Sequence, residues 1–276
     1  MFHTPSGGGT PVLHYSQSRY SVNNGDGYRR EYHFGTGTTY RYYAPMTWGT
    51  TGYLFYGYQY GRHQEWSNGY YGYCHGEWRP DYYGYNYDWQ LEGWHTHEWY
   101  RHYHYYFPLY AEYRSPAYWI TDWYLGALLS DYYAIREAES FSYYDSSYAL
   151  DYSTKEILRA QVRQAMIDQQ YGTLVPVYYY LNTSHLYVVS EYTPVRTADG
   201  YTCALSHGDV IQQSGYSYEG QQTLNMIVIR SKRGSCYPNS IVHVDVSLLQ
   251  EYQNDFNARV ELGMSHNHNR FFDRRF

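Results

Sequence analysis

The stretch "WHTHEWYRHYHYY" places His95, His97, His102 and His104 within ten residues of one another. Read as strands, each His-x-His pair points to one face, and a hairpin would bring all four imidazoles within ligand distance of zinc or copper. His97-Glu98 followed by His102 is one residue too long for the helical H-E-x-x-H zinc site. The plainer reading is a polar strand face stacked among aromatic rings. Cys74-His75, in "YGYCH", has Tyr71 where a C-x-x-C-H haem attachment site needs its first cysteine, so Cys74 reads as a packed thiol. There is no G-x-S-x-G elbow, no P-loop and no dinucleotide fingerprint after a strand. Glu137 and Glu139, in "AIREAES", read as exposed helix charges. Gly208-Asp209 reads as a tight turn between strands, the glycine supplying a positive φ and the carboxylate accepting turn amides. The expectation is a protein that is not an enzyme and holds no cofactor.

Composition shows what must position such residues. Of 276 residues 43 are tyrosine, about 16%, several times an ordinary share. Without them the hydrophobic fraction of 43% falls to about 27%, low for a conventional core, and the mean hydropathy is -0.74. Tyrosine nevertheless brings a large apolar face, a stacking quadrupole and a hydroxyl that needs a partner. The formal charge of -6 and pI near 6.1 argue against nucleic acid as a partner. No transmembrane segment is expected, since the longest apolar run, "YWITDWYLGALL", is interrupted by Asp122. The start, "MFHTPSGGGTPVLHYSQ", shows no basic n-region followed by an apolar stretch. Either export does not use that route or the numbering begins after processing.

The character of the chain changes near residue 150. Of the 43 tyrosines 26 lie in the first 130 residues, among Gly, His, Trp and Asn. Tyr56, Tyr58 and Tyr60 alternate as one strand face would, as do Tyr83, Tyr85, Tyr87 and Trp89. Glycine punctuates these runs and permits close backbone approach. Residues 117–150 form a transition, with Ile120, Trp123, Tyr124, Ala127 and Leu128 spaced as on a short amphipathic helix. Then "DYSTKEILRAQVRQAMIDQQYG" reads as a helix with Ser153 as N-cap, Glu156 at N3 and a stop at Gly172. Five strand candidates follow: "VPVYYYL", "HLYVVS", "GDVIQQS", "LNMIVIRS" and "SIVHVDV". A last helix, "SLLQEYQNDFNARVELG", starts at Ser247 and ends at Gly263. The fold class expected is mainly β with flanking helices: a tyrosine-rich low-complexity β/coil half, then a small SH3-like barrel with two helices. The corresponding regions are 1–116, 117–150, 151–264 and a tail, 265–276. Cys203 and Cys236 bracket one β region, and a disulfide between them is expected, with free buried thiols as the alternative.

"WITDWYLGALLSDYY", "YTCALSHGDVI" and "IRSKRGSCYPNSIVHVDVSLLQEYQNDFNARVELGM" together resemble a group of uncharacterised, exported bacterial proteins. In that group a Gly-, Tyr-, His- or Trp-rich half precedes a small domain with a Cys-x-(Leu/Val)-x-x-Gly-Asp-Val turn and a second cysteine before the last strand. The matching positions are Cys203, Gly208, Asp209, Val210 and Cys236. The resemblance spans residues 117–264 and implies an extracellular or cell-surface setting, with no activity attached. A Gly- and Tyr-rich half with few aliphatic groups buries too little to order itself alone, and further copies of the chain would supply the missing contacts. The leading expectation is a structural subunit of a self-assembling extracellular filament or surface layer. Tyr56, Tyr58, Tyr60, Tyr83, Tyr85, Tyr87 and Trp89 would be its inter-subunit contacts. The alternatives are a wall- or capsule-glycan-binding module using aromatic grooves, and a metal-binding or redox protein using the four histidines.

Overall fold

The computed structural model describes strands at residues 13–14, 20–22, 28–34, 37–48 and 51–56, and then residues 97–111, 113–135, 149–171 and 177–273. Tyr58, Tyr60, Tyr83, Tyr85, Tyr87, Trp89, His95 and Cys74 lie outside the described residues.

The N-terminal strands β1 (Leu13–His14), β2 (Tyr20–Val22), β3 (Tyr28–Phe34), β4 (Gly37–Trp48) and β5 (Thr51–Tyr56) form an antiparallel sheet of order β1-β3-β4-β5, with β2 also on β3. Its two hairpins close at Phe34↔Gly37 and Trp48↔Thr51, and Tyr56 stands opposite Tyr43. A regular sheet thus occupies part of the region expected to be low-complexity β/coil. Strand β5 runs beside the last helix of the chain.

Among the described residues four α-helices accompany the second sheet, α1 (Glu98–Tyr103), α2 (Pro116–Ile135) and α3 (Tyr152–Tyr171) before it in the chain and α4 (Val246–Asp273) after it. The spacing in 117–150 suggested a short amphipathic helix, but α2 is 20 residues long and buried from Pro116 to Tyr132 at every position except Tyr118. Its two acids explain why it can be. Asp122 meets Lys155 of α3 at 2.6 Å, and Asp131 meets Arg259 of α4 at 2.9 Å, all four side chains being buried. A charge inside the core is tolerated only when paired in this way. One cluster of buried side chains unites α1, α2, α3 and α4 with part of the second sheet, including Trp119, Ile120, Leu128, Leu158, Val162, Leu186 and Val260. The core therefore runs across the boundary expected at residue 150.

Helix α3 begins one residue later than its cap. Asp151 is that cap: its Oδ1 accepts the Thr154 N–H at 2.8 Å, and its carbonyl accepts the Lys155 N–H at 3.0 Å. Ser153, expected in that role, instead donates its hydroxyl to Asp151. Partial burial pushes the Asp151 carboxyl up, but the donors on Ser153 and Thr154 and the Arg230 charge outweigh it and bring the value to about 2. Helix α4 likewise passes through its expected end. Gly263 lies inside it because α2 crosses there: a Cβ would stand 3.1 Å from both Ile120 Cγ2 and Trp123 Cε3.

The second sheet contains β6 (Leu186–Val188), β7 (Thr193–Thr197), β8 (Thr202–Leu205), β9 (Val210–Gln213), β10 (Thr223–Arg230) and β11 (Ile241–Asp245). It is antiparallel, in the order β6-β9-β10-β11-β7-β8. Alternation works as expected on β10 and β11, where Leu224, Met226, Val228, Val242 and Val244 point inward against Leu249 and Tyr252 of α4. The expected closed barrel is not formed, because the sheet has two ends: β6 pairs only with β9, and β8 only with β7. "VPVYYYL" is not a strand either; Val177–Tyr179 is a turn of 3-10 helix. No helix among the described residues is long and apolar enough to cross a membrane.

Candidate functional site

A dense set of buried polar groups surrounds the turn between β8 and β9. Gly208 adopts φ +84°, and a Cβ there would press on Leu129 Cδ2 at 3.2 Å, so both conformation and space require glycine. Its N–H bonds the Val189 carbonyl and the Asp209 carbonyl accepts the Val189 N–H, both at 2.8 Å, which extends β6 onto the turn. Asp209, fully buried, accepts the Ser206 N–H at 2.8 Å and hydroxyl at 3.1 Å on Oδ2. On Oδ1 it accepts the Lys232 N–H at 3.0 Å and the Lys232 ammonium at 2.6 Å. The same ammonium donates to the His207 carbonyl at 2.5 Å and lies 5.2 and 5.0 Å from the ring centres of Tyr106 and Tyr132. Tyr106 closes the arrangement by donating its hydroxyl to the Gly208 carbonyl at 2.6 Å.

A disulfide joins Cys203 to Cys236, with the Cα atoms 5.2 Å apart. The Cys236 N–H also bonds the Ala204 carbonyl at 2.9 Å, so the edge strand β8 is tied twice to the β10–β11 connection. The turn was legible in the sequence, and so was the role of Asp209 as acceptor of turn amides. Lys232 was not: in "IRSKRGSC" it looks like a solvated loop charge, yet it is 1% exposed.

Behind the turn, Arg259 donates to Asp255 at 2.6 Å and to Asp131 at 2.9 Å. His207 lies near this group, with its ring 5.9 Å from that of Tyr132. Burial, then the positive charges of Arg259 and Lys232, push the His207 imidazole down to about 3, so it is neutral at physiological pH. His185 is held down to about 4 by burial, against the support of Gln253, whose Oε1 lies 2.9 Å from Nε2. These carboxylates and cations are buried and answer one another's charge.

Of the four histidines expected to gather at one metal, the three described, His97, His102 and His104, lie on or at the ends of a helix rather than on a strand pair. His97 is the N-cap residue of α1, His102 lies in its last turn and His104 follows it. His104 Nδ1 is 2.7 Å from the Arg101 carbonyl, and His102 packs its ring 4.8 Å from that of Tyr103. Among the described residues no group of three or more His, Cys, Asp or Glu side chains is placed to hold a metal ion.

The described tyrosines run from fully buried to largely exposed, and Tyr152 at the start of α3, Tyr179 in the 3-10 turn and Tyr192 just before β7 are among the exposed ones. Tyr106, Tyr124, Tyr187 and Tyr252 are buried in the core. Tyr201, Tyr216, Tyr218 and Tyr237 are 75%, 84%, 67% and 70% exposed, and each sits on a connection between strands. Strand β10 enters from the connection bearing Tyr216 and Tyr218 and leaves into the one bearing Tyr237. The Ala198 N–H bonds the Ile241 carbonyl at 2.8 Å, which puts the Tyr201 hairpin at the Tyr237 end. Exposed tyrosines therefore stand at both ends of the sheet, a distribution that sequence alternation does not reveal because connections have no period.

No protein family, curated protein or solved structure matches this chain.

Proposed function

We propose that the chain is a structural subunit of a self-assembling extracellular filament or surface layer. The sheet-and-helix unit is its folded block, and the tyrosine-rich first half carries the contacts with other copies. The observation that carries this reading is the presentation of Tyr201, Tyr216, Tyr218 and Tyr237 at opposite ends of a disulfide-tied unit. Rings at both ends suit association that continues from copy to copy, and tyrosine tolerates a wet contact because its hydroxyl stays hydrated while the ring is covered. The disulfide accords with an oxidising compartment, hence the cell surface or beyond. Tyr56, Tyr58, Tyr60, Tyr83, Tyr85, Tyr87 and Trp89 supply further rings, with Gly84 leaving room for a neighbouring backbone.

Changing Tyr83, Tyr85 and Tyr87 together to Ser in the full chain tests the reading. The variant stays in the supernatant under conditions where the wild type sediments, and keeps its cooperative unfolding transition. A variant that sediments as the wild type does would remove these rings from the assembly contact.

A further inference from the structure

Two buried lysine–aspartate contacts occupy the core, and they differ in kind. Asp209 receives Lys232 together with three further donors. Asp122 is built otherwise. It is fully buried on α2, and Lys155, with a side chain 3% exposed, reaches it from α3 to put Nζ 2.6 Å from Oδ1. Oδ2 accepts the Tyr110 N–H at 2.8 Å and the Tyr113 hydroxyl at 3.0 Å. Oδ1 has the Lys155 amine as its partner. Nζ also donates to the Pro108 carbonyl at 2.5 Å, and it lies 3.9 Å from the Tyr110 ring centre and 4.8 Å from that of Phe107.

We propose that Lys155 and Asp122 condense to an intramolecular amide that covalently joins α3 to α2. The ammonium first gives a proton to Oδ1, leaving an amine and a carboxylic acid. The nitrogen lone pair attacks Cγ, forming the N–C bond, and the electron pair of the carbonyl moves to Oδ2. There the Tyr110 N–H and the Tyr113 hydroxyl stabilise the oxyanion, as two donors aimed at developing charge do. A second amine proton passes to Oδ1, the Cγ–Oδ1 bond breaks, water leaves and the carbonyl re-forms. One ammonium and one carboxylate become one amide and one water, with no redox partner.

Three features favour this outcome. Held groups of this kind react with effective molarities on the order of 10⁵–10⁸ M when the geometry is near attack. Burial moves Asp122 up and Lys155 down from their ordinary values despite the partner's opposing charge, towards the neutral acid and amine that the step consumes. The product also keeps its polar partners: the amide N–H keeps Pro108, the carbonyl keeps both donors, and the atom lost is the oxygen whose partner is the reacting amine itself. Two buried charges disappear with it. The inference stands apart from the reading of self-assembly.

Intact-mass measurement of the purified, reduced full chain tests it, followed by tryptic mapping. The wild type is lighter than its sequence by one water, about 18 Da. Trypsin leaves Lys155 uncut and yields a branched species joining residues 115–136 to residues 137–159. Lys155→Arg has the full sequence mass and is cut after the new arginine. A wild type of full sequence mass means an ion pair only and overturns the proposal, as does a water loss that maps to other residues.

Discussion

Replacing Asp209 by alanine should be among the most damaging single changes in the C-terminal unit. The substitution strands the Lys232 ammonium, 1% exposed, with the His207 carbonyl as its remaining strong acceptor among the contacts described above. It also strips the Ser206 and Lys232 N–H groups of their acceptor inside the core. Breaking one side of a buried ion pair costs about 3–5 kcal/mol, and the loss for Asp209→Ala belongs at the upper end of that span. Lys232→Met should cost less, about 2–3 kcal/mol, because the carboxylate keeps three donors from Ser206 and the 232 backbone. Urea unfolding of the full chain, followed by the fluorescence of buried Trp119 and Trp123, measures both. A loss under about 1 kcal/mol for Asp209→Ala, or a larger loss for Lys232→Met than for Asp209→Ala, would refute the account of this cluster.

Reducing the Cys203–Cys236 bridge, whose sequence separation is 33, should destabilise the unit by about 3.7 kcal/mol from loop entropy, read as a shift in urea midpoint. His207 has its folded value depressed to about 3, so its contribution is whole above the ordinary imidazole range near 6.5 and is lost as pH falls towards 3. The difference in stability between wild type and His207→Gln should therefore shift against the wild type by up to about 1.4 kcal/mol per pH unit below 6.5. A flat difference across that window contradicts it. Gly263→Ala gains helix propensity of about 1 kcal/mol but forces Ile120 and Trp123 aside, for a net loss of about 1 kcal/mol, while Gly263→Leu should lose 3 kcal/mol or more, roughly, in the same unfolding assay.

Much of the second sheet was legible because its strands carry the period of a half-buried surface. Val242 and Val244 alternate with exposed or half-exposed neighbours, and Met226 does the same on β10. The β7–β8 hairpin was missed although Asp199-Gly200 marks its turn, since Thr193–Thr197 has a single buried side chain, Val195, and no apolar run. Helix α2 was underestimated because Asp122 and Asp131 look like interruptions until Lys155 and Arg259, distant in sequence, supply their counter-charges. Gly263 looked like a helix stop because local rules see missing propensity and cannot see α2 crossing against it. The open sheet has the same origin: the spacing of strand candidates does not say whether the outermost two meet. At the candidate site the turn glycine and Asp209 were readable from local chemistry. Lys232 and His207 were not, because burial of a loop cation or imidazole is decided by packing from other elements.

Negative-stain electron microscopy of the purified full chain, under non-reducing conditions, tests the central claim most directly. The account predicts regular filaments or sheets that are lost when Tyr83, Tyr85 and Tyr87 are changed together to Ser. Dispersed single particles of the wild type across concentration and ionic strength would contradict it.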